Sequence, residues 1–441
     1  MAGIFKAYDI RGVYGEDLDE VLAYKIGRAF ATYLGCRKVS IGRDIRIHSE
    51  SLFRALTRGL TEQGADVIDL GLCSTPMTYF AAGTLDSDAS IMVTASHNPA
   101  EWNGFKLCRA HGVPISGATG IADIEKIVHS GDFAPAAATP GSIFTHDILP
   151  AYRAHIAQFA HIGRPLRIAV DYANGMGILE GRTLEGLPIT IEPLFGDLDG
   201  SFPNHEANPA KVENLADLQA CVRQGGFDFG VAFDGDADRA GFVDEKGDVV
   251  SMDFITALIA TDILSQRKGV IFYDLRSSRV VPEIISAAGG TPMMSRVGHA
   301  FIKQQMRDND ALFGGELSGH YYFKDNFTTE SSALAVLCIA NMVSRFGETL
   351  SELAAPLRKY ATSGEINSRV AIDPQIVLQR IRDAFADGKQ MELDGVSVSY
   401  PDWWFNVRCS NTEPLVRLNL EARDRATMEE KRDKVLSLIR S

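Results

Sequence analysis

Three aspartates at alternate positions, Asp234, Asp236 and Asp238, follow an apolar run directly and precede Arg239. Carboxylates at this spacing converge on one hard cation if the backbone wraps around it, and Gly235 permits the turn. Without a cation their mutual repulsion is costly, so a merely solvated acidic turn is the weaker explanation after a buried strand. An EF-hand loop fits only in part. Glu245 falls at its bidentate position, but Arg239 stands where its sharp turn needs glycine, and a strand precedes the loop. Three ligands leave coordination positions open, which suits a catalytic Mg²⁺ that also holds a phosphate oxygen. Arg239 beside it either neutralises phosphate oxygens or simply pairs with the aspartates.

A second segment, Ile91-Met92-Val93-Thr94-Ala95-Ser96-His97-Asn98-Pro99, ends an apolar run in a serine. Open α/β sheets carry chemistry where their strands end, so Ser96 stands where a nucleophile is expected. A serine hydroxyl is inert at neutral pH unless it is activated or carries a transferable group. No histidine–carboxylate pair can be assigned to it, although His97 is adjacent. Lys106, in Asn103-Gly104-Phe105-Lys106, serves as proton donor and acceptor if neighbouring cations lower its pKa.

Three further loops are polar. Gly314-Gly315-Glu316-Leu317-Ser318-Gly319-His320 puts a carboxylate and a hydroxyl two residues apart, suited to adjacent sugar hydroxyls. Arg296-Val297-Gly298-His299, with Lys303, follows a predicted strand. Arg408-Cys409-Ser410-Asn411-Thr412, with Arg417 close behind, offers the hydroxyls, amides and guanidinium groups that a phosphate dianion needs.

The elements that must position these residues are legible as a rhythm. Apolar spacing predicts a helix over 18–34 that stops at Gly35, a strand at 39–42, and a helix capped by Ser49 or Ser51 that runs to Gly64. Strands at 67–70 and 91–94 complete a β-α-β-α-β pattern, whose spacing alone predicts a mostly parallel sheet. The pattern recurs at 166–233 and 270–295, with linkers expected near Pro150 and residue 250. After a linker at 361–365 the last segment differs. An element beginning at Val370 and Ile372 is followed by a helix at 376–386, three short strands and a final helix near 426–439, an α+β pattern.

At 441 residues the chain should hold three or four domains. Its 45% hydrophobic and 23% charged residues are ordinary for a globular protein. A net charge of −13 opposes nucleic-acid binding but allows a locally basic site for a small phosphorylated substrate. Six scattered cysteines without a C-x-x-C pair predict buried thiols in a reducing cytoplasm. No apolar run suggests a membrane span, and the ordered look of Tyr8 to Gly12 argues against a signal peptide.

In order along the chain, Tyr8–Gly12, Thr94–Pro99, Asn103–Lys106, Asp234–Arg239, Arg296–His299, Gly315–His320 and Arg408–Thr412 resemble the α-D-phosphohexomutase family, in its phosphomannomutase/phosphoglucomutase branch. The resemblance implies three related mixed-sheet α/β domains and a C-terminal α+β domain around a central cleft, here 1–150, 151–250, 251–362 and 363–441. It implies that Ser96 is a phosphoserine donor. The group would pass between the 1- and 6-positions of a mannose or glucose phosphate through a hexose 1,6-bisphosphate, which also serves as activator. Mg²⁺ would be held by Asp234, Asp236, Asp238 and a phosphoserine oxygen on Ser96. Arg11, Lys106 and Arg239 would surround the transferred group, with His97 beside it and Lys106 as general acid/base. Glu316 and Ser318 would grip the sugar hydroxyls, and Tyr8, Arg276, His299 and His320 would also face the substrate. Arg408, Ser410, Asn411, Thr412 and Arg417 would take the non-transferring phosphate. The protein would act as a monomer or homodimer on a small sugar phosphate.

Two positions depart from the family pattern. Asp274-Leu275-Arg276 stands where many relatives have a lysine, and Leu317 stands where methionine is commoner. Phosphoglucosamine mutases usually carry glutamine at the latter position, so Leu317 points to a neutral hexose. The alternatives are phosphoglucosamine mutase, a Mg²⁺-dependent sugar phosphatase with Asp234 as nucleophile, and a sugar-phosphate sensor.

Overall fold

Four sheets follow one another along the chain. The computed structural model describes residues 3–409 and 415–441. The first sheet runs Ile10–Val13, Trp102–Arg109, Ala89–Val93, Lys38–Arg43, Asp66–Leu72, Ile143–Thr145, with Val113–Pro114 paired outside this order. The second runs Val249–Val250, Ala240–Asp244, Phe229–Phe233, Leu166–Asp171, Ile189–Leu194. The third runs Thr291–Ser295, Val270–Asp274, Phe313–Gly315, Tyr321–Phe323, Thr329–Glu330. The fourth, of Ala361–Arg369, Leu415–Ala422, Trp403–Cys409, Val396–Ser399 and Lys389–Met391, is antiparallel throughout.

The repetition in the first three sheets is topological and sharp. Each has one strand that is parallel to its neighbour on one side and antiparallel on the other: Ala89–Val93, Phe229–Phe233 and Phe313–Gly315. The first two are buried on both faces, as a continuous apolar run requires of a central strand. Each ends in a chemistry-bearing loop, at Ser96, Asp234 and Glu316 respectively. The sheets are therefore mixed rather than mostly parallel.

Helix Glu20–Leu34 starts where Asp19 accepts the Leu22 amide and stops at left-handed Gly35. Helix Ser49–Glu62 has no side-chain cap from Ser49 or Ser51. The Ser49 hydroxyl donates to Asp44 instead, at 2.5 Å, and accepts from Asn103 at 3.0 Å. Pro150 lies in the first turn of helix Leu149–Ala157, and Val250 is still paired with Phe242. The expected linker at 361–365 is instead the start of edge strand Ala361–Arg369, whose polar, half-exposed residues pair with Leu415–Ala422 around a register shift between Thr362 and Glu365. Val370 and Ile372 follow that strand rather than begin an element.

One continuous apolar core joins the first three units, from Met77 and Phe80 through Ile168 and Phe229 to Phe313 and Val336. The fourth unit has its own, built on Phe385, Val398, Phe405, Leu418 and Val435. Among the described residues no single helix is long and apolar enough to cross a membrane. The six cysteines are unpaired; Cys36, Cys73 and Cys108 are buried, and the other three are partly so.

Candidate functional site

Ser96 is fully buried and left-handed, with φ 54°. A non-glycine residue in that region is uncommon and is held there by its surroundings. The Thr94 hydroxyl accepts the Ser96 amide at 2.9 Å. The Ser96 hydroxyl donates to Asp234 Oδ2 at 2.8 Å, so the serine loop of the first sheet and the aspartate loop of the second meet directly. A Cβ on Gly235 would lie 2.5 Å from the Ser96 carbonyl oxygen, so only glycine allows this approach.

Asp234, Asp236 and Asp238 are buried, with one carboxylate oxygen of each within 4.8 Å of the others. The Thr75 hydroxyl donates to Asp236 Oδ2 at 2.5 Å. Asp236 Oδ1 is buried without a hydrogen-bond partner, and Asp238 Oδ1 has only a 3.3 Å contact to His320 Nε2. Burial, then the charges of Asp236 and Asp238, push the Asp234 carboxyl well above its ordinary range. Burial acts the same way on Asp238, but Lys106 and His320 outweigh it and hold that carboxyl well below the usual range. Partnerless buried carboxylate oxygens in a cluster this crowded fit an oxygen-coordinated divalent cation.

Lys106 Nζ donates to Asp236 Oδ2 at 2.6 Å and to Asp238 Oδ2 at 2.5 Å. Burial works against its charge, yet the two carboxylates hold its pKa above the ordinary lysine value. The lysine's immediate partners are therefore anions, the reverse of the cations that would lower its pKa. Arg11 reaches from the edge strand of the same sheet to the Ala95 carbonyl at 3.2 Å and Asn98 Oδ1 at 2.7 Å, anchored by Asp9. His97 Nδ1 lies 3.3 Å from the Ser96 hydroxyl. Burial, then Arg239 and Arg11, keep this imidazole neutral, and no carboxylate pairs with it among the described residues.

The third unit closes onto the same centre. Arg239 Nε lies 3.4 Å from His320 Nε2 and 3.7 Å from Asp234, while its amide donates to Asp234 Oδ1 at 3.2 Å. His320 Nδ1 shares a 2.8 Å hydrogen bond with the Ser318 hydroxyl. Glu316 accepts the Gly298 amide at 2.9 Å and the Tyr322 hydroxyl. His299 is partly buried, with both ring nitrogens shielded and neither hydrogen-bonded among the described residues, 3.6 Å from Glu330, and burial and Lys303 hold it neutral. The Tyr8 hydroxyl donates to the Val297 carbonyl at 3.1 Å, tying the first unit to this loop.

The fourth unit contributes Arg408 and Arg417. Both donate to Glu365, at 2.7 and 3.1 Å, and both keep a buried Nε without a partner among the described residues. Arg276 pairs with Asp274 through Nε at 3.2 Å and Nη2 at 2.5 Å, close enough to Glu365 to be stabilised by its charge. Asp274 Oδ2 also accepts the Leu317 amide at 2.8 Å, which links this arginine to the Glu316–Ser318 loop. Ser410, Asn411 and Thr412 lie outside the described residues.

Sequence reasoning missed Arg46, Thr75 and Glu365. Arg46 follows the end of strand Lys38–Arg43, the same kind of position that marked Ser96, and could have been found by that rule. Glu365 was hidden in a segment whose polarity suggested a linker. Nothing in the sequence around Thr75 signals its grip on Asp236.

Comparison with known proteins gives a consistent assignment. Family models match in sequence: phosphoglucomutase/phosphomannomutase alpha/beta/alpha domain I at 2–135, domain II at 150–247, domain III at 251–360 and the C-terminal domain at 365–438. The chain is 41% identical to a phosphomannomutase of Salmonella montevideo, over 99% of each chain. It is 40% identical to a phosphomannomutase of Methanocaldococcus jannaschii, over 99% of this chain and 97% of that one. The crystal structure of a phosphoglucomutase/phosphomannomutase family protein from Burkholderia thailandensis superposes with a TM-score of 0.91 at 34% identity, covering 99% of this chain and 96% of that one.

Proposed function

The chain belongs to the phosphoglucomutase/phosphomannomutase family and is a phosphohexomutase, and we propose that it stores the transferred phosphoryl group on Ser96. The observation that carries this reading is the 2.8 Å hydrogen bond from the Ser96 hydroxyl to Asp234, inside a cluster whose charges are matched by Lys106, Arg11 and Arg239. The Ser96 hydroxyl donates to Asp234 rather than to His97, and His97, made less basic by burial and by Arg239 and Arg11, has no carboxylate partner among the described residues, which speaks against a general-base-activated serine.

In the proposed cycle the phosphorus–oxygen bond to Ser96 breaks as a bond forms to the free 1- or 6-hydroxyl of the bound hexose phosphate. The resulting hexose 1,6-bisphosphate returns its other phosphoryl group to Ser96. Lys106 would be the acid/base at this centre: once a cation takes up the charge of Asp236 and Asp238 its proton is easier to release, and it would give that proton to the serine oxygen leaving phosphorus and then, neutral, take up the proton of the attacking hydroxyl. Arg11 and Arg239 place fixed positive charge where phosphoryl oxygens develop charge. Mg²⁺ held by Asp234, Asp236 and Asp238 would neutralise the carboxylates and polarise a phosphoryl oxygen. Glu316, Ser318 and His320 take sugar hydroxyls, and Tyr8 and His299 line the same approach. Arg276, Arg408 and Arg417, with Ser410, Asn411 and Thr412, hold the phosphate that stays.

Mannose phosphate is supported as substrate by relatives named phosphomannomutase at about 40% identity, with glucose phosphate as the second. Unpaired cysteines suit a cytoplasmic setting. The test is intact-mass spectrometry of the protein after incubation with hexose 1,6-bisphosphate and Mg²⁺, beside product analysis from mannose 1-phosphate. A single phosphate adduct on the wild type, absent from Ser96→Ala, with formation of mannose 6-phosphate, is expected. An adduct that survives the substitution, or net phosphate release without isomerisation, overturns the reading.

A further inference from the structure

Arg46 belongs to none of the motifs above, yet its side chain is fully buried. Its Nη2 donates to the carbonyls of Ser96 at 2.8 Å and Asn98 at 2.6 Å, and its Nη1 to those of Pro99 at 2.6 Å and Trp102 at 3.0 Å. Nε is held by Asp44 at 3.1 Å. A guanidinium is the one side chain whose planar fork can satisfy this many acceptors at once. Those acceptors belong to the loop that puts Ser96 in its left-handed conformation.

The other side of Arg46 is covered by the second unit. The Phe202 ring lies 5.1 Å from the guanidinium, in cation–π range. Phe202 is itself left-handed, with φ 51°. Two residues earlier, a Cβ on Gly200 would lie 2.3 Å from the Ile45 carbonyl oxygen and 2.8 Å from the Ile47 amide, so the strap at 199–208 rests directly on the backbone around Arg46. A Cβ on Gly235, in the aspartate loop, would lie 2.5 Å from the Ser96 carbonyl oxygen and 3.4 Å from the Phe202 ring. Arg46, the strap, the serine loop and the aspartate loop are thus packed as one block across two units.

We propose that Arg46 and the 199–208 strap form a clamp that fixes the distance between Ser96 and the Asp234 loop, making Arg46 a positioning residue for phosphoryl transfer. The inference rests on the reading of Ser96 as phosphoryl carrier and names what holds that serine in register. It touches no substrate, so its signature is a loss of turnover with substrate binding retained.

The experiment follows Ser96 phosphorylation by intact mass after mixing unphosphorylated enzyme with glucose 1,6-bisphosphate and Mg²⁺, together with kcat and KM for mannose 1-phosphate and thermal unfolding. The variants are Arg46→Lys, Gly200→Ala and Phe202→Leu, with Ser96→Ala alongside. Because a displacement of about 1 Å can cost about a hundredfold in rate, Arg46→Lys and Gly200→Ala should slow both phosphorylation and kcat by about that factor, with KM within about twofold. Phe202→Leu should slow both by about fivefold. A folded Arg46→Lys with wild-type kcat overturns the clamp, as does a loss of thermal stability with unchanged kcat per folded molecule. If Arg46→Lys does not fold, Gly200→Ala and Phe202→Leu decide by the same criteria. Mutase activity in Ser96→Ala instead overturns the carrier reading; an inactive Ser96→Ala beside unaffected clamp variants removes the clamp alone.

Discussion

The two ends of the proposed site are built differently. At the Ser96 end, three units share one apolar core, and the polar groups are buried and pair with one another: serine with aspartate, lysine with two aspartates, arginine with loop carbonyls. At the other end a separately cored unit presents Arg408 and Arg417, which share the single carboxylate of Glu365 with Arg276 nearby. The first end is nearly balanced in charge and locked in geometry. Among the described residues the second has three arginines against Asp274 and Glu365, and guanidinium nitrogens without partners. Phosphoryl transfer needs positioning, whereas holding a dianion needs surplus charge and donors. On the proposed reading, chemistry falls at one end and grip at the other, which predicts a separation of kcat from KM.

The largest effects should fall on the Ser96 end. Ser96→Ala should lower mutase kcat by about 10⁴-fold or more, since a carrier has no substitute. Asp236→Asn should lower it by about 10³-fold and weaken the dependence on Mg²⁺; unchanged Mg²⁺ dependence in a titration of rate against metal would remove Asp236 from the ligand set.

Next in size is an effect on stability beneath that end. Glu180 is buried and accepts hydrogen bonds from the Ser74 hydroxyl and, at 3.0 Å, from Tyr152, which also contacts Ser331. Ser74 caps the helix whose first residue, Thr75, holds Asp236. Burial raises the Glu180 carboxyl from 4.5 to about 7. The folded state thus binds this proton more tightly than the unfolded one. The stabilisation is complete below about pH 4.5 and is lost as pH rises to about 7, a change of about 3 kcal/mol. Urea unfolding of wild type and Glu180→Gln between pH 5 and 8 should show that slope only in the wild type. An equal slope in both would place the titration elsewhere.

The contrast between the ends also explains what the sequence could and could not reveal. Strand-end loops such as 94–99 and 234–239 were legible because an apolar run stopping at polar residues is a local signal. The mixed character of the sheets was less legible from periodicity, because strand direction depends on pairings such as Ala89–Val93 with Trp102–Arg109, which apolar spacing does not encode. Glu365 was lost because an edge strand with polar, half-exposed residues reads like a linker. Arg46 and Thr75 act through partners in distant loops, and a pattern confined to neighbouring residues carries no trace of them.

At the grip end, Arg408→Gln should raise KM for mannose 1-phosphate by about thirtyfold, the loss of about 2 kcal/mol expected for charge-assisted hydrogen bonds to phosphate. Turnover at saturation should stay within about threefold. A fall in kcat matching that of Asp236→Asn would erase the distinction between the two ends.

The smallest effect is the most discriminating, because it concerns the residue that joins them. Arg276 is held by Asp274 through two nitrogens, and the same carboxylate holds the Leu317 amide in the loop of Glu316 and Ser318. Lysine at this position keeps the charge but loses the fork, so the pairing with Asp274 becomes a single contact and the loop is less firmly placed. Arg276→Lys should therefore raise KM by about fivefold, about 1 kcal/mol, with kcat within about twofold. If kcat falls further than KM rises, the sugar loop is coupled to the Ser96 end rather than to the arginines, and the boundary between chemistry and grip runs between Arg276 and Arg408 instead of on the far side of Glu316.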